Sequence, residues 1–213
     1  MSRWARGLAP DVTDSPRSFA VTWDYRCPFA RNVHDHLVTA LRGGADWDVT
    51  FVPFSLGQVH VEEGEDPIWG RWRDDTGLLA LQAGVVVRDK APERFLDVHE
   101  ALFALRHEHG GQLRDEAQVR QVLAAQGVDD DMVLGEIDEG RAIEVVREEH
   151  ERAASRWDVW GVPTFVTGGQ AAFVRLMHRP EGDVAEATRT IERVVDLLAW
   201  SDLNELKHTR LPP

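Results

Sequence analysis

Between residues 19 and 54 the hydrophobic period of the chain changes twice. Phe19, Val21 and Trp23 alternate with Ala20 and Thr22, a period of two that predicts a short strand. Val33, Leu37, Ala40 and Leu41 then recur at helical spacing until Gly43-Gly44 ends the pattern. Alternation returns from Asp48 to Phe54 and predicts a second strand ending near Pro53. A strand–helix–strand unit of this length predicts a parallel pair joined by a right-handed crossover.

From about Pro67 to Trp157 the pattern is helical almost throughout. Phe95, Leu96, His99, Leu102 and Phe103 mark one face of a helix that stops before Gly110-Gly111. Asp115 is placed to cap the next, with Val119, Val122 and Leu123 inward. Val133, Leu134 and Ile137 predict a short third helix, and Ile143, Val146, His150 and Trp157 continue along a fourth. Strand signals then resume: Trp160 to Val166 leads into a strand, Gly168-Gly169 makes a turn, and Ala171 to Leu176 reads as the hairpin partner. Ile191, Val194, Val195 and Leu198 line one face of a final helix. This order predicts an α/β frame, residues 18–66 and 158–213, holding an all-helical insertion, residues 67–157. Residues 1–17, rich in Pro, Asp and Ser, are expected to form a loose leader.

Composition narrows the classes. Of 213 residues, 43% are hydrophobic, enough for a real core. The 24 Lys+Arg against 37 Asp+Glu leave a formal charge of −13, and no basic stretch offsets it, which argues against a nucleic-acid partner. No apolar run approaches the ~20 residues that span a bilayer, so no membrane partner is expected. The first 18 residues read as neither a secretory signal nor an anchor. One cysteine excludes an internal disulfide and a multi-cysteine zinc site, and the expected setting is a reducing cytoplasm. The pairs His34/His36 and His107/His109 look like metal ligands on paper, but residues two apart on a helix point about 200° from each other. No metal site is expected, and His99 and His150 read as core histidines. No Gly-x-Ser-x-Gly elbow is present, and the Gly-Gly pairs lack phosphate-loop spacing.

The one cysteine carries the chemistry. Cys27-Pro28 stands where the first strand feeds the first helix, and proline suits a helix's first turn because its missing N–H has no intrahelical partner there. Unpaired N–H groups and the positive end of the helix dipole favour an anion at that place. A free thiol has a pKa of about 8.5, which helix termini and nearby cations can bring down to roughly 3.5–7.5. Arg26 and Arg31 flank the site and are candidates to add to the effect, although an exposed arginine would contribute little. The competing reading is a small buried hydrophobe. Trp23, Tyr25 and Phe29, with Trp69 and Trp72, are either core or the walls of a pocket suited to a planar, quinone-like substrate.

The second informative element is Gly161-Val162-Pro163-Thr164. Its proline either marks a strand boundary or forms a cis bond, which costs only about 0.5–1 kcal/mol over trans. A cis bond would turn the Val162 N–H and C=O outward to pair with an extended ligand.

The strand–Cys-Pro-x-x–helix start, the helical insertion and the later Gly-Val-Pro-Thr resemble the DsbA-like branch of the thioredoxin superfamily over roughly residues 18 to 210. The ending Glu205-Leu206-Lys207-His208-Thr209-Arg210 is similar to that of actinobacterial mycothiol-dependent reductases of this branch, which also includes FrnE-type oxidoreductases. The resemblance implies a thioredoxin-like fold, Cys27 as nucleophile, Pro163 as the cis-proline and Val162 as docking backbone. Pro28, Phe29 and Ala30 complete the implied thiol-binding turn. The departure is Ala30, where such oxidoreductases usually carry a second cysteine.

Without a resolving thiol a dithiol cycle is closed to the isolated subunit. The expectation is therefore a monothiol oxidoreductase that binds no tight cofactor and acts on a small electrophile or disulfide. A low-molecular-weight thiol, mycothiol or glutathione, would serve as co-substrate. The alternatives are a thiol-linked transferase or isomerase of the kappa-class or 2-hydroxychromene-2-carboxylate isomerase type, or a redox-inactive binding protein on the same fold. The branch is also compatible with a homodimer, although no interface stripe stands out in the chain.

Overall fold

Strand β1, Arg17–Trp23, is the centre from which the sheet grows. The structure, a computed structural model, describes residues 17–205. The expected leader before Arg17 and the 206–210 part of the ending lie outside the described residues. β1 runs parallel to β2, Trp47–Pro53, in the register Val21↔Phe51 and Trp23↔Pro53, as the strand–helix–strand pattern requires. On its other side β1 pairs antiparallel with β3, Thr164–Thr167, and β3 pairs antiparallel with β4, Gln170–Phe173, giving the order β2-β1-β3-β4. The hairpin partner is shorter than expected: it stops at Phe173, not Leu176.

Helix α1, Pro28–Arg42, connects the parallel strands and packs against the last helix, α8, Val184–Ala199. Ile191, Val194, Val195 and Leu198 are the buried face of α8, as their spacing predicts. Between β2 and β3 the chain is helical: α2 Leu56–Val59, a 3₁₀ segment Ile68–Asp74, α3 Leu78–Lys90, α4 Pro92–His107, α5 Glu116–Ala125, α6 Asp130–Asp138 and α7 Arg141–Trp157. Asp115 caps α5 by accepting from Ala117 N–H and Gln118 N–H. α3 is buried from Leu78 to Val87 on every side, which explains why no period picks it out in the sequence. One apolar cluster runs from Phe19 through α3 and α4 to Leu198.

Two polar devices hold the helical layer to the sheet. Asp24 follows β1 and is almost fully buried; it accepts from Arg26 N–H, the Arg26 guanidinium and Leu56 N–H. Arg26 reaches on to Asp75 at 2.7 Å, and Asp75 accepts the Gly77 and Leu78 N–H groups at the start of α3. The space is shaped for this guanidinium, since a Cβ at Gly77 would stand 2.6 Å from its Nε. The second device is a buried chain, Tyr25–His99–His34–Thr22. Thr22 C=O can only accept, so His34 donates through Nε2 at 3.2 Å and accepts at Nδ1 from His99 Nε2 at 2.8 Å. His99 Nδ1 then accepts the Tyr25 hydroxyl at 2.9 Å. Every polar atom of this run has a partner. A Cβ at Gly84 would collide with that hydroxyl, so glycine there lets α3 pack against Tyr25.

Candidate active site

Cys27 is the N-cap of α1, with Pro28 in the first turn. Its backbone N–H donates to Asp24 C=O at 3.0 Å, closing a turn that presents the side chain to the helix end. Sγ accepts from Ala30 N–H at 3.4 Å and donates to Val162 C=O at 3.3 Å. The Val162–Pro163 bond is cis. The loop carrying it is pinned to β1 through Thr164 N–H to Thr22 Oγ1, 2.8 Å, and Thr164 Oγ1 to Gly161 C=O, 2.8 Å. Six positions singled out in the sequence, Cys27, Pro28, Phe29, Ala30, Val162 and Pro163, thus meet around one sulfur, from segments 135 residues apart.

The electrostatics differ from the sequence expectation. Burial pushes the thiol above its ordinary value; the Ala30 and Phe29 N–H groups pull it back in part, and the Asp24 carboxylate adds to the rise. Cys27 is 8% exposed. The flanking arginines do not compensate, because each is committed elsewhere. Arg26 is held between Asp24 and Asp75, and Arg31 pairs with Glu108. The helix terminus supplies donors, but a desolvated sulfur beside a carboxylate gains less from them than it loses. The resting group is a neutral thiol hydrogen-bonded to a carbonyl. Val162 is itself buried, and its C=O is occupied by that thiol, so it is not free for a ligand in this state.

The aromatic readings divide. Trp23 and Tyr25 are core: Trp23 packs edge-on to Phe95 and His99, and Tyr25 to Phe103. Trp69 packs on His150, and Trp72 lines a separate cavity of about 230 Å³ with Asp75, Leu79 and Arg114. Of the five, Phe29 alone lies in the first turn of α1, beyond the thiol. The aromatic residues that accompany it were not singled out by sequence: Trp160, 65% exposed, packs at a tilt against Phe173 with ring centroids 4.6 Å apart. The sequence signal was faint: a tryptophan two residues before Val162, and a strand whose apolar alternation continues past its last ladder pair.

His99 is a satisfied core histidine; His150 is not. His150 is stacked on Phe54 at 4.0 Å, and among the described residues its Nδ1 has no hydrogen-bond partner. Burial brings its pKa down to about 4, against the pull of Asp24. Among the described residues, no group of three or more His, Cys, Asp or Glu is arranged to hold a metal, and no helix is long and apolar enough to cross a membrane.

Residues 21–179 match the family model of the DSBA-like thioredoxin domain. No curated protein matches the chain. Among solved structures the chain is similar to DsbA of Pseudomonas aeruginosa, with 20% identity, 88% of each chain covered and a TM-score of 0.55. It is also similar to MdbA, a thiol-disulfide oxidoreductase from Actinomyces oris, at 18% identity, with 82% of this chain and 81% of that one covered and a TM-score of 0.56. BdbD from Bacillus subtilis is similar at 14% identity, over 84% of this chain and 87% of that one, with a TM-score of 0.52. At these identities the likeness establishes the thioredoxin-like architecture.

Proposed function

This chain belongs to the DsbA-like thioredoxin domain family, and from that premise we propose that it is a monothiol oxidoreductase whose nucleophile is Cys27. The observation that carries the reading is the contact between Cys27 Sγ, at the α1 N-cap, and the Val162 carbonyl of the cis-proline loop. Ala30, where a resolving cysteine would stand, is fully buried beside it and has no thiol to offer.

The chemistry runs in two exchanges. Cys27 loses its proton to solvent and attacks one sulfur of a disulfide, RSSR. A Cys27–SR bond forms, the S–S bond breaks, and RS⁻ leaves and takes up a proton. A low-molecular-weight thiol, mycothiol or glutathione, then attacks the mixed disulfide and restores Cys27. A second molecule of that thiol completes the reduction, so that two thiols are oxidised for each disulfide reduced.

The thiol's raised pKa bears on direction. Oxidants of the thiol–disulfide type gain their strength from a stabilised thiolate. A buried, neutral Cys27 lacks that stabilisation and suits reduction or thiol transfer. It is also a poor leaving group, so its mixed disulfide persists until an external thiol arrives. The proposed setting is a reducing cytoplasm, where such thiols are abundant.

The test is turnover of bis(2-hydroxyethyl) disulfide with mycothiol or glutathione, with Cys27→Ser as blank. Disulfide reduction that requires Cys27 supports the proposal; equal rates for the two proteins overturn it. The raised thiol also favours a second reading, a redox-inactive binding protein on the same fold, in which Cys27→Ser binds ligand as well as the parent does.

A further inference from the structure

The two segments that meet at the sulfur each carry an aromatic residue two positions from it. Phe29 is two residues beyond Cys27, and Trp160 is two residues before Val162. One segment, the end of β4 and the residues after it, bridges them. Val174 N–H donates to Pro163 C=O at 3.0 Å, and Asn32 Nδ2 donates to Leu176 C=O at 2.8 Å, which fixes the segment at the loop and at α1. Phe173 contacts Trp160, and the Arg175 guanidinium stands 5.2 Å from the centre of the Phe29 ring.

Arg175 stands apart from the ion pairs of the described residues. Glu108 takes Arg31 and Arg179, and Asp35 takes Arg179. Among the described residues no carboxylate pairs with Arg175, whose contact is the Phe29 ring. In a chain of formal charge −13, an exposed guanidinium that has no carboxylate partner among the described residues, over the ring two residues beyond Cys27, is a local attraction for anions in a field that repels them. Trp160, two residues before the Val162 whose carbonyl meets the thiol, offers its ring to solvent.

We propose that Trp160, Phe173, Arg175 and Phe29 form a recognition strip for an aromatic anion, one aryl ring bearing a carboxylate or an equivalent acid group, presented to Cys27. The ring stacks beside Trp160 and Phe173, and the acid group pairs with Arg175. The strip deepens the monothiol reading by naming the class of substrate that reaches the sulfur, and it rests on that reading only for the reaction, not for the binding.

The probes are two aryl disulfides, anionic 5,5′-dithiobis(2-nitrobenzoate) and neutral 2,2′-dithiodipyridine. In each case Cys27 Sγ bonds to one aryl sulfur, the aryl S–S bond breaks, and the other aryl thiolate is released. Arg175→Gln is expected to lower the ratio of anionic to neutral rate constants by about tenfold, a ratio that cancels any change in the thiol itself. Trp160→Ala is expected to slow both aryl disulfides relative to iodoacetamide. An unchanged anionic-to-neutral ratio in Arg175→Gln overturns the strip.

Binding is read separately in Cys27→Ser by saturable quenching of tryptophan fluorescence with 4-nitrobenzoate. Quenching is expected to be lost in Trp160→Phe and to need about tenfold more ligand in Arg175→Gln. If no saturable quenching occurs, the strip fails even where Cys27 reacts. If quenching occurs but Cys27 reacts with neither disulfide, the monothiol reading fails and the strip stands.

Discussion

The Cys27 thiol points its proton at the Val162 carbonyl oxygen, 3.3 Å away and 135 positions later in the chain. This contact ties the α1 terminus to the cis-proline loop, and it stores the sulfur as a thiol. Both the strengths and the limits of the proposed chemistry follow from it.

The first prediction concerns ionisation. Burial and Asp24 raise the Cys27 pKa, so reaction with iodoacetamide is expected to be slow at neutral pH. Its rate should climb with a midpoint above the ~8.5 of a free thiol. Rates measured from pH 6 to 10 against Cys27→Ser check this. A midpoint below about 7.5 would show that the helix terminus outweighs burial.

Restoring the missing thiol gives a second prediction. Ala30→Cys places a sulfur in the first turn of α1, one turn from Cys27, within the usual Cα separation for a disulfide. On oxidation the variant is expected to form a bridge between Cys27 and the introduced thiol, and to release bound thiol without an external one. Because Ala30 is fully buried, overpacking should cost about 1–3 kcal/mol of stability. Intact mass under oxidation distinguishes a bridge, a loss of two hydrogens, from a persistent adduct.

Acid stability is the third. Burial holds His34 and His150 at about 4 in the fold, against 6.5 ordinarily, and lowers His99 in the same direction. Between pH 6.5 and about 4 the unfolded chain binds protons that the folded chain does not, so stability is complete above that window and falls as pH drops through it. At pH 5 the loss is about 2 kcal/mol for each of His34 and His150. Urea midpoints at pH 7 and pH 5 measure it. His150→Phe, which also removes the unpartnered Nδ1, is expected to shrink the difference by its share.

Arg26 supplies a fourth prediction. Its guanidinium joins Asp24, beside the thiol, to Asp75 at the start of α3, and the two carboxylates offset the burial of its charge. Arg26→Ala leaves both acids buried without their cation and is expected to cost about 3–5 kcal/mol. Thermal unfolding reads the loss. A change under about 1 kcal/mol would mean that the carboxylates find other partners.

The frame of this fold was legible because it rests on local signals. Phe19, Val21 and Trp23 alternate and form β1; Cys27-Pro28 marks the start of α1; Asp115 caps α5. The position of the sulfur was therefore available from spacing alone. Its electrostatics were not, because they depend on partners far away in sequence. Arg26 looks like an activating cation until Asp75, 49 residues on, is seen to hold it. Trp23 and Trp160 illustrate the same limit: both adjoin a site segment, yet one is fully buried in the core and the other is 65% exposed. Nothing in a tryptophan's neighbours along the chain distinguishes the two.

The most direct measurement is the intact mass of the protein after incubation with glutathione disulfide or mycothiol disulfide, followed by addition of the free thiol. The account predicts one adduct per chain, located at Cys27, absent in Cys27→Ser and removed by the added thiol. No adduct, at a pH where iodoacetamide alkylates Cys27, would contradict single-thiol exchange and leave the fold as a binding scaffold.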